Sequence, residues 1–418
     1  MEILSTGEKI KRARTYKGCT LKDLCGDKIS VSKMSCIEND KIKPEDWILE
    51  FVAEKLQIDE SYLKQDIKSQ VIRNIKDIEK SEYSDEYESK LEYNLKYAEE
   101  YSYFDISFNI MHLLFNYYLD KNKIEKIQLI ISKYYDYWKK CFTEENGVVY
   151  YMDIARFFYN TKEFSQAANY YSNVRDVSKK SKDYALLARA TYNEAACYVM
   201  LENYEAAYEI AVKLTDLIDY IENDIKKAEA YHMLAILCLR RNHVENFDEY
   251  EQKSFKLYEN NLAHKAQAIY NYAVVMFSLN MKDKAINYIN KALECYPKDN
   301  KETLVKFMLM NINKLIENNV LNKAQKVCDM ALNYAITLNN ITFIERAYYY
   351  KSLILEREGD LSSAEMYINL SLDALLKFAN NNEVYRRYME MGNMYYRIGN
   401  VRESIKYFNF AINLEKKM

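Results

Sequence analysis

Apolar residues recur three and four positions apart along nearly the whole chain, the spacing of one buried helical face. Near the N-terminus the pattern comes in short pieces. Leu21 and Leu24 mark one helix, Met34 and Ile37 a second, and Trp47, Ile48, Phe51, Val52 and Leu56 a third. Capping residues set the boundaries: Ser5 with Glu8 and Thr20 with Asp23 fit capping boxes, Ser30 fits an N-cap, and Asp59 caps a further short helix. Gly26 and Asp27 break the pattern between the helix opened at Thr20 and the one opened at Ser30. The first 65 residues therefore predict five helices, with the pair across residues 20–39 arranged helix, turn, helix. Residues 66–82 carry much charge and no Gly or Pro, and predict a connecting helix.

From about residue 83 the pattern becomes periodic. A helix-start residue followed three later by a small or apolar one appears as Ile124/Ile127, Phe164/Ala167, Tyr204/Ala207, Val244/Phe247, Lys282/Ala285, Leu321/Ala324, Leu361/Ala364 and Val401/Ser404. The second members, here called anchors, are 38 to 40 residues apart. Twelve residues before most of them stands a small residue: Ala155, Ala195, Ala235, Ala273, Ser352 or Gly392. Tyrosine recurs three after the anchor, at Tyr170, Tyr250, Tyr288, Tyr367 and Tyr407. Small residues at fixed points let paired helices approach closely, and each pair must stack on its neighbours to bury its face. Residues 83–101 fit a degenerate first unit.

This cadence resembles the tetratricopeptide repeat, stretched beyond its usual 34 residues or so. The expected fold is all-α: an N-terminal five-helix helix-turn-helix domain, followed by a right-handed superhelix of about eight or nine tetratricopeptide-like hairpins. The expected divisions are 1–65, a linker helix 66–82, and 83–418.

Composition supports long helices with short polar joints, since 418 residues contain only 7 Gly and 2 Pro. The formal net charge of −3 excludes a polycation. Residues 1–43 nevertheless hold ten Lys/Arg against six Asp/Glu, a local basic excess suited to DNA. The eight cysteines lack metal-ligand spacing, which predicts buried thiols and no metal. Charges from Glu8 to Lys17 interrupt any signal-peptide core, and no apolar run reaches membrane-spanning length, so a cytoplasmic protein without membrane association is expected. No P-loop, dinucleotide turn or paired metal motif is present, and His112, His232, His243 and His264 are scattered. A non-enzymatic protein without cofactor is the expectation.

Two sets of residues carry candidate binding chemistry. On the helix pair, Thr20, Lys22 and Lys41 suit phosphates, Ser30 caps the reading helix, and Ser32, Lys33 and Cys36 suit base edges. The second set lies on the first helix of each repeat, on positions close to whole turns apart that would line a concave wall. It comprises Arg189, Tyr192, Asn193, His232, Arg240, Tyr270, Asn271, Asn313, Arg346, Tyr349, Arg357, Arg386, Asn393 and Arg397. Amides can pair with a peptide backbone, guanidinium groups grip carboxylates, and tyrosines add contact area. The combination suits a short extended peptide. The bland alternative is that the arginines are solvated or bridge neighbouring repeats.

Residues 5–64 resemble the Cro-type (XRE) helix-turn-helix domain through Gly7-Glu-Lys-Ile-Lys-Arg, Lys17-Gly18-x-Thr20, Ser32-x-x-Ser35-x-Ile37-Glu38-Asn39 and Leu56-x-Ile58-Asp59. There are two departures: the turn before Ser30 is one residue short, and Asp40 stands where glycine is usual. With the repeats, the layout resembles the RNPP family of quorum-sensing regulators, most of all its NprR-like branch. That resemblance implies a homodimer on a double-stranded DNA operator, switched by a short linear signalling peptide. The family's peptide-binding asparagines lie in Tyr-Asn-x-(Gly/Ala), which Tyr192-Asn193-Glu194-Ala195 and Tyr270-Asn271-Tyr272-Ala273 match, while His232-Met-Leu-Ala235 departs from it. A Rap-like or bifunctional interaction regulator acting on a response-regulator partner stays open as the alternative.

Overall fold

The computed structural model describes residues 2–417, which form 23 α-helices and no strand. The chain divides into two compact units, residues 1–203 and 204–418. The first unit opens with five short helices: α1 (Thr6–Tyr16), α2 (Leu21–Cys25), α3 (Val31–Glu38), α4 (Asp46–Leu56) and α5 (Glu60–Lys64). Seven longer ones follow: α6 (Ile67–Glu79), α7 (Tyr87–Glu100), α8 (Phe104–Asp120), α9 (Ile124–Lys140), α10 (Glu144–Asn160), α11 (Phe164–Ser181) and α12 (Tyr184–Met200). The second unit begins with α13 (Tyr204–Ala211), which gives way to two 3-10 turns, Val212–Asp216 and Ile218–Tyr220. It continues through α14 (Asp224–Arg240), α15 (Val244–Leu257), α16 (Leu262–Ser278), α17 (Lys282–Cys295), α18 (Lys301–Glu317), α19 (Leu321–Thr337), α20 (Ile341–Glu358), α21 (Leu361–Leu375), α22 (Asn381–Arg397) and α23 (Val401–Glu415).

The five-helix head closes over Ile10, Leu24, Met34, Ile37, Ile48, Val52, Leu56 and Leu63, all fully buried. Both capping boxes form, Ser5 with Glu8 and Thr20 with Asp23, and Ser30 and Asp59 cap α3 and α5. Two charged groups pin the helices. Lys9 is buried, its ammonium donating to the carbonyls of Tyr62 and Gln65, and burial lowers its pKa. Arg14 forms a bidentate pair with buried Glu38, at 2.6 and 2.8 Å, and also donates to the Cys19 carbonyl. Gly7 is required by packing: a Cβ there would lie 2.3 Å from the Ile37 carbonyl oxygen. Asp40 ends α3 with φ +55°, a conformation that costs a non-glycine residue about 1–2 kcal/mol. Its carboxylate offsets that cost by accepting the Gly7 N–H at 3.1 Å and the Ser5 hydroxyl.

α6 lies within the stretch 66–82 and ends at Glu79; it is capped by Asp66, and its Val71, Ile75 and Ile78 join one buried cluster with residues of α7 and α8. The segment before α1 is held to this cluster. Buried Gln70 pairs its amide with both backbone groups of Leu4, donating to the carbonyl at 2.8 Å and accepting the N–H at 3.2 Å. Ile3 is buried in the same cluster, and its N–H donates to the Tyr93 hydroxyl.

All eight helix-start residues read from the repeat pattern, Ile124 through Val401, are the first residues of helices in the structure. These helices are called B, and the helix before each A. The anchors are buried, Ala167, Ala207, Ala285, Ala324 and Ala364 completely. So are the small partners Ala155, Ala195, Ala235 and Ala273. At Gly392 an added Cβ would stand 2.6 Å from the Phe408 ring, which fixes the closest approach of α22 and α23.

Every joint before a B helix has one geometry. A residue with positive φ stands two before it: Asn122, Lys162, Glu202, Asn242, Asn280, Asn319, Gly359 or Gly399. The next residue donates its N–H back into the last turn of the A helix, as in Lys123 to Tyr118, His243 to Cys238 and Asn400 to Tyr395, each 2.8 to 2.9 Å. This is the Schellman closure, and Asn or Gly tolerates its left-handed residue best. Asparagine also caps most later A helices, at Asn223, Asn261, Asn300, Asn340 and Asn380.

Candidate functional site

The head presents the first candidate face. Thr20, Lys22, Ser30, Ser32 and Lys41 are exposed, and Lys33 and Cys36 are half-buried on α3. Several of these groups already have partners. The Thr20 hydroxyl donates to Asp23 at 2.6 Å, and with the Thr20 N–H it holds that carboxyl below its usual pKa. Ser30 Oγ accepts the Lys33 N–H. The Lys33 ammonium sits 2.8 Å from Glu45, which also accepts the Trp47 indole N–H, and both bonds lower the Glu45 pKa. The sequence singled out Trp47 only as part of its helix's apolar face and Glu45 not at all, because the contact with Lys33 crosses a loop and leaves no periodic mark. Val31, at the start of α3, and Trp47 are each 43 % exposed, which adds apolar area to this face.

The A helices present the second face. Arg189 on α12 is exposed, with Tyr192 and Asn193 half-buried beside it. In the second unit the candidate residues fall into two groups. The first group bridges neighbouring elements. Asn271 Nδ2 of α16 donates to His232 Nε2 of α14 at 3.3 Å, and Asn271 Oδ1 accepts from Gln267 at 3.1 Å. Arg240 stacks 4.5 Å over Tyr204, Arg357 donates to the Ile316 carbonyl, Arg397 pairs with Glu356 at 2.6 Å, and Tyr349 donates to Glu390 at 3.1 Å. Tyr270 is half-buried, its ring 6.1 Å from Phe307, and burial pushes its pKa up to about 12. The second group is exposed: Asn313, tied only to Glu317 of its own helix, with Arg346, Arg386 and Asn393.

His232 is half-buried with its Nδ1 turned inward, and burial lowers its pKa to about 4, so the ring is neutral near pH 7. Its Nε2 accepts from Asn271, which places the proton on Nδ1, a buried atom with no partner. The ring lies 4.7 Å from that of buried Tyr272.

Sequence reading passed over Arg387. It is 5 % exposed and meets Glu345 at 2.8 Å, Glu390 at 3.0 Å and the Ser371 hydroxyl, with its guanidinium 4.1 Å over Tyr349. A signal was available. The column seventeen before the anchor holds Ala190, Ala230, Ala268, Phe307 and Ala347, all buried, so a charge in that column must have an internal partner. Arg386, one residue earlier, points to solvent. Among the described residues no group of three His, Cys, Asp or Glu could hold a metal, and no helix is long and apolar enough to cross a membrane.

No family model matches the chain. The regulatory protein RapK of Bacillus subtilis (strain 168) is 23% identical over 280 residues, covering 66% of this chain, and the match spans 63% of RapK's length. The apo form of RapI aligns with 74% of this chain and 98% of its own, at TM-score 0.43 and 13% identity. The apo quorum sensor NprR of B. thuringiensis aligns with 84% of this chain and 99% of its own, at TM-score 0.43 and 15% identity.

Proposed function

We propose that the chain is a peptide-responsive transcriptional regulator. The five-helix head binds operator DNA as a homodimer, and the A-helix face takes a short signalling peptide. The supporting observation is the joining of the two parts. A helix-turn-helix head with an exposed, serine-bearing α3 is fastened by Gln70 and Ile3 to the first hairpin of a repeat array. That array displays Arg189, Asn193, Arg346, Arg386 and Asn393 on its A helices. One helix-turn-helix unit reaches too few bases for useful specificity, hence the dimer on a two-fold site. A peptide across several A helices changes DNA binding only as far as it prefers one arrangement of the repeats. The proteins named RapK and NprR, a regulatory protein and a quorum sensor, agree in kind with this reading.

The test is footprinting on genomic DNA, followed by calorimetry with peptides encoded near the gene. A protected two-fold site whose affinity changes at least about tenfold with a peptide supports the reading. Peptide binding that leaves DNA affinity and oligomeric state unchanged overturns it. The Lys33–Glu45 pair favours a second reading, since it withdraws a cation from the DNA face. In that reading the array grips a response-regulator protein, and pull-down recovers that partner while no operator is protected.

A further inference from the structure

On the B-helix side of the second unit, α15 and α17 flank a groove of about 530 Å³. Its floor is apolar, made by buried Leu239, Phe247 and Met276. Its walls carry both charges: exposed Asp248 comes from α15, and exposed Lys284, Lys291 and Glu294 from α17. Among the described residues, none of the four forms an ion pair. Lys291 lies 4.8 Å over the Tyr288 ring, which also lines the groove. Asn290 adds a buried Oδ1 with no hydrogen-bond partner.

This arrangement selects a ligand by elimination. A polyanion such as a nucleotide meets Asp248 as well as the lysines and finds no guanidinium fork among the lining residues. A wholly apolar molecule leaves the buried Asn290 oxygen unsatisfied, which disfavours its binding. A ligand with one positive end, one negative end and a hydrocarbon side group meets the carboxylates, the lysines and the apolar floor at once.

We propose that the α15–α17 groove is a binding site for a small zwitterion bearing an apolar side chain. Its carboxylate lies between Lys284 and Lys291, its ammonium is held by Asp248 and Asn290 Oδ1, and its side chain rests on Leu239, Phe247 and Met276. Free α-amino acids and peptides of two or three residues share this chemistry, and the groove falls within the range of about 300–1,000 Å³ usual for small-molecule pockets. The site is separate from the A-helix face. Its Phe247 and Tyr288 both contact Tyr272, at 5.3 and 6.3 Å between ring centres, and Tyr272 in turn contacts His232.

The experiment titrates the full chain by calorimetry with L-phenylalanine, L-leucine and the tripeptide Gly-Phe-Gly. N-acetyl-L-phenylalanine lacks the ammonium, and L-phenylalaninamide lacks the carboxylate. The expected result is saturable binding of a zwitterion, weakened at least about tenfold when either end is masked. In Asp248→Asn the preference for the free ammonium falls toward one. In the double variant Lys284→Met/Lys291→Met the preference for the free carboxylate falls likewise. All three positions are exposed, so melting curves matching the parent confirm that the variants fold. Binding by the tripeptide alone assigns the site to peptides, and binding by the amino acids alone assigns it to free amino acids. Masked and free ligands binding equally, or no ligand binding at millimolar concentration, overturns the proposal.

Discussion

Two stretches of the second unit, α14–α17 and α20–α23, are built on the same period and hold their helices together in opposite ways. In α20–α23 every buried polar group has its counterpart: Glu345, Arg387, Ser371, Glu390 and Tyr349 form one ionic network, and the adjoining joints turn on Gly359 and Gly399. In α14–α17 the interior polar atoms are less well met. His232 Nδ1 and Asn290 Oδ1 are buried without a partner, buried Tyr272 and Glu251 have only the neighbouring hydroxyls of Ser254 and Tyr288, and the joints turn on Asn242 and Asn280. Burial accordingly raises the Glu251 pKa and sets that of Tyr272 well above its usual value. A satisfied buried network fixes one packing, whereas unmet donors and acceptors mark a place that can repack or take a ligand. The first stretch is a clamp; the second is where recognition can be built in.

The comparison breaks first at Arg387. Arg387→Ala leaves Glu345 buried and unpaired, and should cost about 3–5 kcal/mol in urea unfolding. The double variant Arg387→Met/Glu345→Leu should recover most of that loss, and no recovery would deny the pair its structural role.

Acid should strike the other stretch. The folded-state pKa of His232, about 4, lies below its unfolded value of 6.5, so the unfolded chain binds the proton first. Stability is therefore unaffected above the unfolded pKa and falls as pH drops from about 6.5 toward 4, by up to about 3 kcal/mol. His232→Gln should flatten that decline in unfolding midpoints measured between pH 7 and pH 5, while the double variant Arg387→Met/Glu345→Leu, which removes both charges, keeps the parent's slope.

Tyr272→Phe removes a buried hydroxyl whose one polar neighbour is the Ser254 hydroxyl, so it should cost no more than about 1 kcal/mol. A loss of 2 kcal/mol or more by the same measurement would mean that the hydroxyl is satisfied and the contrast with α20–α23 overdrawn. The smallest effect belongs to the joints. Asn242→Gly should change stability by no more than about 0.5 kcal/mol, whereas Gly359→Ala should cost about 1 kcal/mol, because alanine resists φ +87°.

What the sequence disclosed was periodic. The B-helix starts could be read because helix contact calls for a buried, mostly small residue at the anchor and twelve before it in most units. The joints left a mark too, with Asn or Gly five before six of the eight anchors, and Lys162 and Glu202 as the exceptions. Features formed once were not legible. Lys33 meets Glu45 across a loop, and Arg387 differs from Arg386 by one residue of helical phase. Arg357 and Arg397 stand in the column expected to face a ligand, and their guanidinium groups reach the neighbouring A helix instead. The side chain is long enough to reach either way, and sequence spacing fixes only where the Cα stands. The end of α13 at Ala211, with Leu214, Leu217 and Ile218 still buried in the 3-10 turns that follow, likewise leaves the apolar pattern unbroken.

The two-way bond between Gln70 and the main chain of Leu4 bears on how any signal would travel. A reader domain hung on a slack tether would search for its target independently of the body behind it. Here the leading residues are stitched into the first hairpin, so α3 inherits that hairpin's orientation. Tilting the hairpin by a few degrees must swing α3 with it, and the swing grows with the lever arm.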